Sequence, residues 1–315
     1  MNNPPITRRE SLKKILRLSG GILAAGSLPL SLADRLVNAE EPAVSNAWIV
    51  EGLGQSPGYS VKALTRKVFE TAGGMGKFIS KGDVVVIKPN ISWAREPGLA
   101  ATTHPEVLEA VIELCQEAGA AKVRIADNTI HDAERCFAVT GAGLAARKTG
   151  AELIHPRSSM MKKMNLHGNR LDAWPVFTPL VEADKVINLP VAKVHGLSGL
   201  TLGMKNWIGG VGGRRSALHQ DIHQSIVDLA QFFKPQITLI DAIRIMTANG
   251  PSGGSLSDVT TANRLILGTD PVAVDADSAG LFAKKPEDIG FIRLGAKWGL
   301  GTMDLTRITR QSVTV

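Results

Sequence analysis

Apolar residues along this chain recur in two rhythms. DVVVIKPN (Asp83–Asn90) is a nearly unbroken apolar run, the composition of a strand buried on both faces of a parallel sheet. KVRIADN (122–128), DKVINLPVAK (Asp184–Lys193), ITLIDAI (Ile237–Ile243) and RLILGTD (Arg264–Asp270) read the same way. Between the first two, HPEVLEAVIELCQEAG sets apolar residues at 107, 108, 111, 112, 114 and 115, a helical spacing with Pro105 in its first turn and Gly119 as its stop. GLAARKTG and SIVDLAQFF supply further helices. This alternation predicts an α/β fold, a mainly parallel sheet flanked by helices. The stretch 157–175 is polar, irregular and Met-rich, which predicts an insertion or subdomain junction inside one α/β domain covering 40–315.

The first 39 residues break the pattern. Arg8-Arg9, then Lys13, Lys14 and Arg17, precede a mildly apolar run from Leu18 to Leu32 and a small-x-small ending, Val37-Asn38-Ala39. That order is the pattern of a twin-arginine export signal cleaved after Ala39, with periplasmic delivery by the export machinery as its partner. The apolar run is short and rich in Gly and Ser, so no stable membrane span is expected. The segment holds six of the 36 Lys/Arg and two of the 29 Asp/Glu, so the remaining chain carries about +3 rather than +7. With no basic tract left and only 4% aromatic residues, nucleic acid is not an expected partner. Cys115 and Cys136 are too few for a four-cysteine cluster, so no iron–sulfur cofactor is expected, while a disulfide between them stays open.

In parallel sheets ligands gather beyond the carboxyl ends of strands. Polar residues fall there repeatedly: Lys88 and Asn90, Asp127 and Asn128, Lys193 and His195, Asp241, and Asp270. The densest group is Lys193 and His195, followed by Lys205 and Asn206 in LTLGMKNWIGG, a short helix expected to return them over the same edge. Lys193, His195, Lys205 and Asp241 are the candidate catalytic residues: lysines for anions or as desolvated bases, a histidine and a carboxylate for proton transfer. Lys88, Asn90, His104, Asn206, Arg214 and Arg215 are candidate ligand-binding residues. GGVGGRR, just before a helix, could form a backbone N–H nest or a mobile lid. On the helix opened by Arg214-Arg215-Ser216, His219 and His223 share a stripe with Ile226 and Ala230, a spacing able to hold a divalent metal, although Gln220 replaces the glutamate of HExxH. His104 beside Pro105 and Asp270 beside Pro271 also read as helix caps, and Asp275 as a partner of the helix dipole.

IKPN (Ile87–Asn90), ATTHPEVLEAVIELCQEAGA (Ala101–Ala120), INLPVAKVHGLSGLTLGMKNWIGG, TLIDAI and LGTDPVAVDA (Leu267–Ala276) resemble, in that order, the motifs of domain of unknown function family 362. The resemblance implies the boundaries of a family domain from about Val84 to Gly280. Members often bear a ferredoxin-like iron–sulfur module, for which this chain lacks the cysteines, and some carry twin-arginine signals. The expected function is an exported enzyme acting on a small anionic substrate, with metal assistance as an option. Its rivals are a non-catalytic ligand-binding or maturation protein and, further off, a partner in iron–sulfur redox chemistry.

Overall fold

A computed structural model describes residues 47–55 and 57–315; the amino-terminal signal pattern lies outside the described residues. The strands are β1 (Trp48–Leu53), β2 (Val84–Pro89), β3 (Lys122–Ala126), β4 (Glu152–Ile154), β5 (Met161–Asn165), β6 (Ala173–Phe177), β7 (Lys185–Leu189), β8 (Val191–His195), β9 (Gly199–Thr201), β10 (Ile237–Met246), β11 (Val259–Gly268) and β12 (Thr309–Thr314). The α-helices are α1 (Val61–Thr71), α2 (Pro105–Glu117), α3 (Ala133–Val139), α4 (Ala142–Thr149), α5 (Pro179–Glu182), α6 (Ile222–Phe233), α7 (Pro271–Ala279) and α8 (Gly290–Lys297).

A ten-stranded sheet runs β12-β1-β11-β10-β7-β2-β3-β4, with β8 pairing β10 and β9. The pairs β2/β3, β3/β4, β2/β7, β7/β10, β8/β10 and β1/β12 are parallel; β1/β11, β10/β11 and β8/β9 are antiparallel. The mainly parallel α/β sheet expected from the sequence is therefore present. Successive residues of each central strand enter different cores. Val85 and Ile87 pack with α1, α2, α3 and α4, whereas Val86 packs with α6, α7 and α8 on the opposite face. Burial on both faces is why these strands read as continuous apolar runs.

The chain moves from β2 to β3 to β4 in one direction, then returns to place β7 on the other side of β2. The crevice beyond the carboxyl ends of β2 and β7 is thus the point where strand order reverses, the usual ligand position in such sheets. The run DKVINLPVAK, expected as one strand, divides at Pro190. Proline has no N–H for the ladder, so β7 stops at Leu189 and the chain restarts as β8, pairing with β10 and β9 instead. Residues 157–175 fold into a turn and the antiparallel β5/β6 hairpin, which contributes Val176 and Phe177 to the core beneath α6 and touches the main fold through a Val176–Val211 bridge. No helix among the described residues is long and apolar enough to cross a membrane. Cys115 and Cys136 are free, buried thiols.

Candidate functional site

The turn of 3₁₀ helix Met204–Gly210 is brought back over the sheet by Asp275, buried in α7, whose carboxylate accepts from Gly203 N–H (2.7 Å) and Met204 N–H (2.9 Å). Asp275 therefore caps a different helix from its own, and burial pushes its carboxyl up to about 7. Asn206 closes the same joint: its amide donates to Asn188 Oδ1 (2.9 Å) and to the Lys88 carbonyl (3.1 Å). Lys205, between these anchors, is thereby held beside Lys193 on β8.

Around Lys205 lies a cavity of about 80 Å³ lined by Asn90, Ser92, Trp93, Ile130, Lys193, His195, Thr201, Lys205, Asn206, Ile208, Gly209, Arg215, His219 and Pro251. Among the described residues its lining has basic side chains and no carboxylate. Lys193 is 1% exposed and donates to the Ala101 carbonyl at 2.5 Å. Burial, then the neighbouring Lys205, holds its ammonium well below the ordinary lysine value. Arg215 donates to the carbonyls of Asn128 and Thr129, both at 2.6 Å. Lys205 is 8% exposed, burial lowers it to about 7, and no acceptor lies within hydrogen-bonding distance of its ammonium among the described residues. Two further groups on the wall lack partners, the buried Asn90 Oδ1 and Thr201 Oγ1.

The histidines divide by their hydrogen bonds. His195 Nδ1 accepts from the N–H groups of Leu197 (3.1 Å) and Ser198 (3.3 Å), so in the neutral ring Nε2 carries the hydrogen. Burial, helped by Lys205, lowers this ring to about 3, which keeps it neutral. His219 Nδ1 lies 3.2 Å from the Arg215 carbonyl and donates to it, so in the neutral ring Nε2 is the acceptor. The two rings are stacked with centroids 6.3 Å apart. One wall therefore presents a donor and an acceptor side by side.

Several expected site residues serve elsewhere. Lys88 does not reach the cavity: its ammonium is held by Asp127 Oδ1 (2.5 Å), the Pro89 carbonyl (2.9 Å) and Asn206 Oδ1 (3.2 Å). Asp241 lies within β10, which runs on to Met246, and its carboxylate accepts from His104 N–H (2.6 Å) and Ile243 N–H (3.0 Å). Burial pushes it up to about 6, and it tethers the start of α2 rather than lining the cavity. His104 is the cap of α2, its Nδ1 accepting from Glu106 N–H (3.1 Å). Asp270 caps α7 through Val272 and Ala273. Arg214 is exposed outside the cavity.

The helix expected from Arg214 begins instead as a 3₁₀ segment, Arg215–Asp221, and turns α-helical only at Ile222. That change of pitch breaks the i, i+4 register: His219 faces His195, whereas His223 stacks on Phe291 and packs on Gly290. The geometry does not join them as a metal-binding pair, and the described residues contain no group of three or more His, Cys, Asp or Glu able to hold a metal. In the glycine run, Gly209, Gly210 and Gly212 are packed against their neighbours. A Cβ on Gly209 would lie 2.0 Å from Asp127 Oδ1, one on Gly210 2.7 Å from Phe233, and Gly212 N–H donates to the Pro175 carbonyl at 2.8 Å. These glycines permit close packing. Trp93, Ile130, Thr201 and Pro251 were not expected. The first two lie just past the exits of β2 and β3, so the strand-end rule carried a few residues further would have found them; nothing in the sequence marks the others.

The model of the domain of unknown function DUF362 matches residues 85–279, a span that contains the Lys193–Lys205 unit and the strand-order reversal. The chain belongs to the DUF362 family. A thylakoid-associated protein of Synechocystis sp. is 31% identical over 209 residues, 64% of each chain, so this DUF362 protein spans a little under two thirds of that relative. Among solved structures, the lactate racemase apoprotein from Thermoanaerobacterium thermosaccharolyticum overlaps 68% of this chain and 53% of its own, at 15% identity and a TM-score of 0.43. A protein from Thermotoga maritima overlaps 71% and 59%, at 12% identity and a TM-score of 0.45.

Proposed function

We propose that this DUF362 protein binds a small carboxylate- or phosphate-bearing molecule in the cavity around Lys205 and acts on it by proton transfer. The observation that carries the reading is the buried, unpartnered Lys205 ammonium. A buried cation without an acceptor is costly, and a ligand anion supplies the missing partner. Arg215 adds positive potential, Lys193 adds an N–H donor, and the His195 Nε2–H donates to the bound molecule. The unprotonated Nε2 of His219 is the proton acceptor, the role that makes the cavity suited to turnover rather than to holding alone. The twin-arginine pattern of residues 1–39 supports export into the periplasm, where the site would meet its ligand.

The test is a thermal-shift series with acetate, propionate and inorganic phosphate at millimolar concentration. Anions should raise the melting temperature of the parent and of His223→Ala, and leave Lys205→Met unmoved. Equal shifts in the parent and Lys205→Met, or none in the parent, would overturn the reading.

A further inference from the structure

We infer that Lys205 is an imine-forming amine, and that the anion entering its cavity carries a carbonyl beside its negative group, as a small 2-oxo acid does. The inference rests on the anion reading above and adds a substrate class and a covalent step to it.

The three buried lysines of this region differ in what holds them. Lys88 is locked by Asp127 and Asn206, and Lys193 by the Ala101 carbonyl. Only the Lys205 nitrogen is unengaged, and it faces the cavity. A lysine desolvated by burial is activated as a nucleophile because its neutral form is favoured. With its value lowered to about 7, Lys205 is about half neutral at neutral pH. An ordinary lysine near 10.4 has only about one amine in 2,500 neutral there.

The other walls fit the remainder of such a substrate. Arg215 offers the cationic seat for its carboxylate, Lys193 adds an N–H donor, and the His195 Nε2–H is a donor for its carbonyl oxygen. The volume, about 80 Å³, suits a short acid.

The step balances without an outside reagent. The Lys205 lone pair forms a bond to the carbonyl carbon, and the C=O π pair moves to the oxygen, which takes a proton from solvent. His219 Nε2 takes a proton from the new ammonium and returns it to the hydroxyl, which leaves as water as C=N forms. The nitrogen keeps its second hydrogen, so amine plus carbonyl plus one solvent proton gives a protonated imine plus water.

The full chain is incubated near neutral pH with pyruvate and sodium cyanoborohydride, then read by intact mass and peptide mapping. One adduct per chain is expected, on Lys205, formed on the order of 10²-fold faster than on any exposed lysine. Propionate, which has the charge but no carbonyl, should slow it. Lys205→Arg should remove it, and mapping the parent locates the adduct even if that variant folds poorly. Adducts scattered over exposed lysines, or one fixed on Lys193, would overturn the inference. If propionate still raises the melting temperature in that case, the anion site stands and only the amine role falls. With neither adduct nor stabilisation by propionate, both readings fall together.

Discussion

Binding of an inert carboxylate to the cavity should be linked to uptake of a proton by Lys205. In the empty site burial lowers its ammonium to about 7. A bound anion supplies the missing partner and raises that value, so affinity is greatest below about 7 and falls as pH rises toward the value in the complex. With a free-site value of about 7, the ammonium is about 90% populated at pH 6 and about 1% at pH 9. If the anion requires it, the dissociation constant of propionate should weaken about a hundredfold across that range, or about 2.7 kcal/mol. His195, at about 3, stays neutral throughout and adds no slope, whereas Lys193, also lowered, can only steepen it. Titration calorimetry at pH 8 in buffers of different ionisation heat should register close to one proton taken up per anion. Lys205→Met should lose the binding. Propionate affinity that stays flat from pH 6 to pH 9, with no proton uptake, would refute the coupling.

The support beneath the cavity is testable through stability. Gly209→Ala should destabilise the fold by about 1–3 kcal/mol in urea unfolding, because its Cβ would fall 2.0 Å from Asp127 Oδ1 and 2.8 Å from Lys88 Nζ, both of which are pinned; a change within about 0.5 kcal/mol would show that this joint yields. Asp127→Ala should cost about 3–5 kcal/mol, since it leaves Lys88 buried without its carboxylate and Ile91 N–H without its acceptor. The Lys88→Met/Asp127→Leu double variant should lose much less, as a buried pair replaced by apolar groups leaves no orphan charge, and equal losses in the two would contradict that account.

Local pattern was enough for much of the fold. The apolar runs of β2, β7, β10 and β11 and the 3.6-residue spacing of α2 and α6 depend on near neighbours in the chain, and each element is present. β2 and α2 lie close to their expected bounds, whereas β7 stops at Leu189, β10 and β11 are longer than expected, and α6 starts only at Ile222. The dense Lys193–Asn206 segment was legible as a place where polar groups gather, because polar groups at strand ends are placed by the sheet itself. Lys193, His195, Lys205, Asn206, Asn90, Arg215 and His219 do line one cavity.

What sequence could not decide was which polar group finds a partner inside. Lys88 and Lys205 look alike in the chain. A carboxylate from the next strand, Asp127, ties up the first, while among the described residues no carboxylate pairs with the second. Asp241 was distinctive as a lone acid in an apolar strand, yet its partners are the N–H groups of Ile243 and, 137 positions away in the chain, His104. The histidine pair failed for a subtler reason: a 3₁₀ turn before Ile222 shifts His219 off the wheel that an α-helix would have drawn. Periodicity and strand ends are local properties, so the chain alone determines the sheet, its helices and the edge where chemistry gathers. Pairing of buried charges, helix pitch at a joint and the tautomer of each ring depend on atoms brought together from distant segments, and only the folded molecule decides them.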